Sequence, residues 1–165
     1  MKQTSHSCPE NGRAVNLWQV TEMELSYHNK QLPKDRPIIN SSKAAYEVLG
    51  NLWDINKIEL LEHFKILLLN RHYRCLGISN IATGGTAACV VDPRIIFATA
   101  LKANATNIIL AHNHPSGNLT PSEEDKKMTD QLIEGGKYLQ INIRDHLILS
   151  STEYLSMADE GYVFN

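Results

Sequence analysis

Two histidines, His112 and His114, stand one residue apart in the stretch IILAHNHPSGNLTPSEED, which runs from Ile108 to Asp125. Neutral imidazole is a common ligand for a catalytic metal ion. In an extended segment side chains alternate between faces, so positions i and i+2 share a face with Cα atoms about 7 Å apart, and both rings can converge on one ion. Beyond a Pro/Gly-punctuated loop, Asp125 closes the run Ser122-Glu123-Glu124-Asp125, where its carboxylate can swing back as a third ligand. Two imidazoles, one carboxylate and an open place for water are the donor set of a hydrolytic zinc centre. Each part also has a plainer reading: a loop His pair can face solvent, and Ser122 with Asp125 matches a helix capping box.

A hydrolytic centre needs a base for its water. After Leu61, alternation puts Glu62, Phe64, Ile66 and Leu68 on one face of a strand. An acid at the head of an apolar row is partly desolvated, which raises its pKa and suits it to take a proton. The plain alternative is a strand-end glutamate facing water, and spacing alone does not choose between Glu62 and Glu59.

The elements that must position these groups follow from pattern. Thr106 to Ala111 reads as a short buried strand, Pro115, Gly117 and Pro121 as a loop, and Ser122 to Tyr138 as a helix with Met128, Leu132 and Ile133 inward. Gly135-Gly136 predicts that this helix stops near there. Upstream, Ser41 or Ser42 can cap a helix over Lys43 to Leu49 that Gly50 ends. Ile58 to Leu69 drives into an apolar strand, Asn70-Arg71-His72 supplies a turn, and Tyr73 to Ile81 returns as the hairpin partner. Ala87 to Val91 is a short apolar piece before Asp92 at N-cap and Pro93 at N1, which open a helix to about Ala103 with Ile96, Ala100 and Leu101 toward the core. Leu139 to Ile143 and His146 to Leu149 read as further strands, followed by an apolar-aromatic tail at Tyr162-Val163-Phe164. A hairpin followed by alternating helices and strands predicts an α/β fold with a mixed β-sheet flanked by helices.

Residues 1–37 read as a polar leader with one edge strand at Val20 to Tyr27, and 38–165 as the domain proper. Hydrophobic content of 42% and charged content of 21% suit a soluble globular chain, with no apolar run of about 20 residues to span a membrane and no signal-peptide h-region. A cytoplasmic location is the default expectation. Cys8, Cys75 and Cys89 are odd in number and widely spaced, against a disulfide framework or a thiolate zinc site. A formal charge of -2 without a basic block gives no footprint for nucleic acid.

Glu62 followed by His112-x-His114-x7-Ser122-x2-Asp125 resembles the JAMM motif of the MPN (JAB) metallopeptidase superfamily, and AHNHPSGNLTPSEED resembles its RadC branch in particular. VVDPRIIFATALKANATNIILAHNHPSG and Asp145-His146 before an apolar strand extend the likeness over about Ile38 to Tyr162. The resemblance implies an MPN/JAB, cytidine deaminase-like architecture and a Zn²⁺ ion on His112, His114 and Asp125, with a fourth place for water. It implies that Glu62 takes the water's proton and passes it to a leaving amine, and that Ser122 donates to a developing oxyanion or holds the water. Better characterised relatives of the superfamily cut peptide or isopeptide bonds, so a peptide or protein substrate is expected. RadC-like proteins are often labelled DNA repair proteins, which implies repair or replication proteins as partners. Longer members carry an N-terminal region resembling a helix-hairpin-helix module, a pattern the leader before Ile38 does not show, so direct nucleic-acid binding is not expected.

Around the motif, Asn113, Ser116 and Gly117 shape the loop, and Asn113 has a substrate-facing and a turn-forming reading. His146 has the choice of orienting a ligand, with Asp145 adjoining it, or of sitting satisfied in the sheet. Arg94 reads as a structural or surface cation, and Trp18 and Trp53 as packing. Two other function classes compete: a partner-docking module with a vestigial or structural site, and a nucleic-acid hydrolase. The zinc deaminases share a broadly similar layout, but their H-x-E and P-C-x-x-C signature is absent here.

Overall fold

Five strands form one mixed sheet in the computed structural model, which describes Ser26, Asn29 and residues 31–85 and 89–164. After a short 3-10 turn at Pro33–Asp35 come α1 (Ser42–Gly50), β1 (His63–Leu69), β2 (Cys75–Thr83), α2 (Pro93–Lys102), β3 (Asn107–Asn113), α3 (Glu123–Leu139), β4 (Asn142–Leu149) and β5 (Tyr154–Ser156). The sheet order is β2-β1-β3-β4-β5, and of its four pairings that between β3 and β4 is parallel. The JAB-like α/β layout expected from the sequence is the one observed. Among the described residues, no helix is long and apolar enough to cross a membrane.

Both faces of the sheet are covered. On one, Ala45 and Leu49 of α1 pack with Leu67, Leu69, Ile109, Ala111, Leu147 and Leu149. On the other, Ile96 and Ala100 of α2 and Leu132 and Ile133 of α3 pack with Phe64, Ile66, Leu68, Ile108, Leu110 and Ile143. β3 lies in the middle, and all seven of its residues are buried, which is why it reads as a continuous apolar run rather than an alternating one.

The helix starts follow their caps. Ser41 accepts a hydrogen bond from the Ala44 N–H, Asp92 from the Arg94 N–H, and Ser122 from the Asp125 N–H. The β1–β2 hairpin turns on Asn70, whose Oδ1 accepts from the N–H groups of His72 and Arg74.

Several boundaries differ from the sequence reading. Ile58 to Leu61 are turn, held by Ile58 N–H to Asp54 O and Leu61 N–H to Lys57 O, so the strand begins at His63. α3 does not stop at Gly135-Gly136 but continues to Leu139. A Cβ on Gly136 would lie 2.3 Å from the Ile141 carbonyl oxygen, so this glycine permits close approach of the returning chain rather than ending the helix. Leu101 is 53% exposed, because it stands one helical step round from buried Ala100. The two strands read on either side of Arg144 are one strand, β4, with a bulge there: Ile108 pairs Ile143 and Ile109 pairs Asp145. β5 was not anticipated, because three residues are too few to show alternation. In the tail Tyr162 and Phe164 pack on the α2–α3 side, while Val163 is exposed. Trp53 is buried and Arg94 is exposed with its guanidinium on Asp92. The leader strand at Val20 to Tyr27, with Trp18 and Cys8, lies outside the described residues apart from Ser26. Of the Ala87 to Val91 piece, Cys89 to Val91 are not strand and the rest lies outside them.

Candidate metal centre

The centre sits at the C-terminal end of β3, on the face that α3 covers. Phe64 pairs with His112 across β1 and β3, and that register carries Glu62 to the level of His114 on the same face. His112 is buried beneath the Phe64 ring, their centroids 6.1 Å apart. Just past the strand, the His114 N–H donates to Leu149 O at 3.1 Å, which holds the loop's first residue to the parallel neighbour β4. The loop then turns through Gly117, whose φ of 77° suits glycine and whose N–H closes on His114 O at 3.0 Å. This turn brings the Asn118 carbonyl onto His114 Nδ1. A carbonyl only accepts, so the ring carries its proton on Nδ1 and directs the Nε2 lone pair inward.

Asp125 arrives from the other side as the third residue of α3. Its Oδ2 accepts from the Ser122 N–H at 2.8 Å and from Ser122 Oγ at 2.6 Å, a reciprocal capping box that fixes the carboxylate's orientation. The capping-box reading of Ser122 with Asp125 is thus the one observed, and it leaves the Asp125 carboxylate beside both histidines. The two Nε2 atoms of His112 and His114 are 2.9 Å apart, with Asp125 oxygens 3.2 Å from the first and 3.6 Å from the second. One donor atom from each residue lies within 4.8 Å of the others.

Burial pushes the Asp125 carboxyl up, but the adjoining His112 and His114 imidazoles and the Ser122 hydroxyl outweigh it and hold the group well below the usual carboxylate range. Asp125 in turn raises the His114 pKa, against the opposing effect of burial. Two imidazole nitrogens and a carboxylate brought to one point by β3, the loop after it and α3 suit a divalent metal ion, and the mix of imidazole nitrogen and carboxylate oxygen suits zinc.

Of the two glutamates that spacing left open, Glu62 is half-buried and Glu59 is exposed. Burial raises the Glu62 pKa, the His112 and His114 imidazoles lower it, and Asp125 raises it, so the fields of all three reach this carboxylate. Its backbone is fixed on both sides: its N–H donates to Gly85 O at 3.0 Å and its carbonyl accepts from the Gly84 N–H at 2.8 Å. Close by, burial and then the Glu62 charge push the Cys89 thiol pKa up.

The remaining sequence candidates divide. Asn113 is fully buried on the face opposite the histidines, so it does not face substrate. Its Nδ2 donates to Ile58 O at 2.6 Å and Leu61 O at 2.9 Å, and its Oδ1 accepts from the His63 N–H at 2.8 Å. It therefore clamps the backbone on both sides of Glu62. Ser116 is exposed and accepts from the Asn118 N–H at 3.4 Å, a loop-shaping contact. Ser122 is at the surface with its hydroxyl proton on Asp125, and contact with a water or oxyanion requires that hydroxyl to rotate. His146 is fully buried, with Nε2 2.8 Å from His112 Nδ1. Asp145 does not pair with that ring: its carboxylate turns to the other face and accepts from Ser156 Oγ and the Ala158 N–H. The sequence reading missed Thr129 and Asn118. Thr129 lies one helical turn beyond Asp125, a spacing that could have marked it; a backbone carbonyl such as that of Asn118 carries no sequence signal.

A family model for the RadC-like JAB domain matches residues 39–162. The chain belongs to the RadC-like JAB domain family. It is 39% identical over 149 residues to a UPF0758 protein of Flavobacterium johnsoniae, covering 90% of this chain and 63% of that protein. A UPF0758 protein of Desulfitobacterium hafniense is 38% identical over 130 residues, covering 78% and 56% respectively, and one of Syntrophomonas wolfei is 43% identical over 102 residues, covering 62% and 43%. The chain thus spans about half the length of the curated relatives it matches. All the residues of the His112, His114 and Asp125 cluster, with Glu62 and Ser122, fall inside the part that matches the JAB domain.

Proposed function

We propose that this JAB domain is a zinc-dependent hydrolase that cuts a peptide or isopeptide bond in a polypeptide substrate. The observation that carries the reading is the meeting of two inward-facing Nε2 atoms and the Asp125 carboxylate, with Glu62 half-buried on the same face. When bound, zinc supplies Lewis acidity, which polarises a carbonyl and makes a neighbouring water easier to deprotonate.

The chain's own residues do the rest. Glu62 accepts the proton of the attacking water, which its raised pKa favours, and hands it to the leaving nitrogen. The pairing of Phe64 with His112 and the Asn113 clamp hold Glu62 level with His114. Ser122, rotating off Asp125, donates to the oxygen that gains charge at the carbonyl.

The test is cleavage of a panel of peptide and isopeptide-linked substrates by zinc-loaded protein, with Glu62→Gln beside the wild type. Cleavage that falls at least about 100-fold in Glu62→Gln, with zinc content unchanged, is expected of a positioned general base. Equal rates in the two proteins would overturn the role of Glu62.

A further inference from the structure

We infer that His146 and Thr129 are positioning residues that fix His112 in the form protonated on Nδ1 and tie its ring to the backbone of Asp125, so that two of the three ligands are set as one unit. The inference rests on the metal-centre reading above, but the direction of every hydrogen bond in it comes from the protein alone.

The chain can be read from its far end. Thr129 Oγ1 lies 2.6 Å from the Asp125 carbonyl oxygen, which only accepts, so the single hydroxyl proton goes there. Toward His146 Nδ1, 2.7 Å away, Thr129 is therefore the acceptor, and His146 Nδ1 carries a proton. His146 is fully buried, and no carboxylate touches its ring among the described residues, so it holds one N–H and no more. Its Nε2 must then accept, at 2.8 Å, from His112 Nδ1–H. The consequence at the other end is a free lone pair on His112 Nε2, aimed at His114 Nε2 and Asp125.

Local structure explains how His146 reaches this place. Ile143 faces α3, and two residues further on a regular strand would present Asp145 on that face. The bulge at Arg144 shifts the alternation by one, so His146 pairs with Leu110 and faces α3, while Asp145 turns away. An outer partner of a ligand histidine is commonly a carboxylate, a carbonyl or water. Here it is a neutral imidazole, which orients the ligand without adding negative charge to the site.

The experiment uses the full chain, ¹⁵N-labelled at histidine, and inorganic zinc. Long-range ¹H–¹⁵N spectra of the zinc-loaded protein should show His146 protonated on Nδ1 with Nε2 unprotonated. His146 protonated on Nε2, or on both nitrogens, would overturn the inference. Chelator competition should show zinc affinity about 10- to 100-fold weaker in His146→Leu. His146→Gln, whose Oε1 can accept from His112 Nδ1–H, should restore most of it. Thr129→Val should weaken affinity in the same direction and Thr129→Ser should not, a second pair that serves if His146→Leu does not fold. Wild-type affinity in both His146→Leu and Thr129→Val, with one zinc per chain, would overturn this inference and leave the metal centre standing. A wild-type protein that takes up no zinc would overturn both.

Discussion

At the scale of residues, the assignment of Glu62 as base depends on where its carboxyl titrates. Burial raises that pKa in the metal-free protein, so without zinc the Glu62 carboxyl should titrate above an ordinary glutamate, and a bound divalent cation should bring it down. A ¹³C NMR titration of the Glu62 carboxyl in metal-free protein reads this directly, and a value at or below that of an ordinary glutamate would contradict it. Asn113 offers a separate check. Asn113→Ala strips partners from Ile58 O, Leu61 O and the His63 N–H, each a backbone group whose buried loss costs about 1–3 kcal/mol. Urea unfolding should show a loss at least that large, and kcat should fall with zinc content unchanged, because the segment that loosens carries Glu62 rather than a ligand. The His112, His114 and Asp125 cluster was visible in sequence because i and i+2 in an extended segment share a face, and a helix's third residue has a fixed direction. Asn113 was legible only as a loop residue, since nothing in sequence shows that an odd position in β3 reaches the turn before β1.

At the scale of elements, the sequence showed type and order well and boundaries less well. Caps at Ser41, Asp92 and Ser122 start helices as their chemistry requires. The glycine pair in α3 misled because intrinsic propensity disfavours glycine in a helix, whereas a tertiary contact with Ile141 demands it at Gly136. Gly136→Ala should therefore destabilise by about 1–3 kcal/mol, as overpacking against backbone does. Gly50→Ala, where a Cβ meets nothing within 4 Å, should change stability by less than about 0.5 kcal/mol. Thermal or denaturant unfolding of the pair checks this, and equal stabilities would show that α3 can move off Ile141. The Arg144 bulge was likewise invisible, because it inserts one ordinary residue and shows only as a shift in which neighbours are buried.

At the scale of the whole molecule, the sheet gathers groups from β1, β3, α3 and β4 at one end, and the cost of burying them shows in the pH dependence of folding. Burial lowers the His146 pKa well below its ordinary value, with the His112 imidazole adding to it. The unfolded chain protonates this histidine below about pH 6.5 while the folded chain does not. The unfolded state then binds the extra proton, so His146 makes stability fall as pH falls below that point. Metal-free wild type should lose more stability between pH 7 and pH 5 than His146→Gln, measured by urea unfolding at each pH; parallel curves would mean that His146 is not buried neutral. The central claim is tested most directly by X-ray diffraction from zinc-loaded crystals, recorded on either side of the zinc absorption edge. A single anomalous peak about 2.0–2.2 Å from His112 Nε2, His114 Nε2 and an Asp125 oxygen is the expected result. Zinc bound elsewhere, or no peak at these residues under excess zinc, would contradict it.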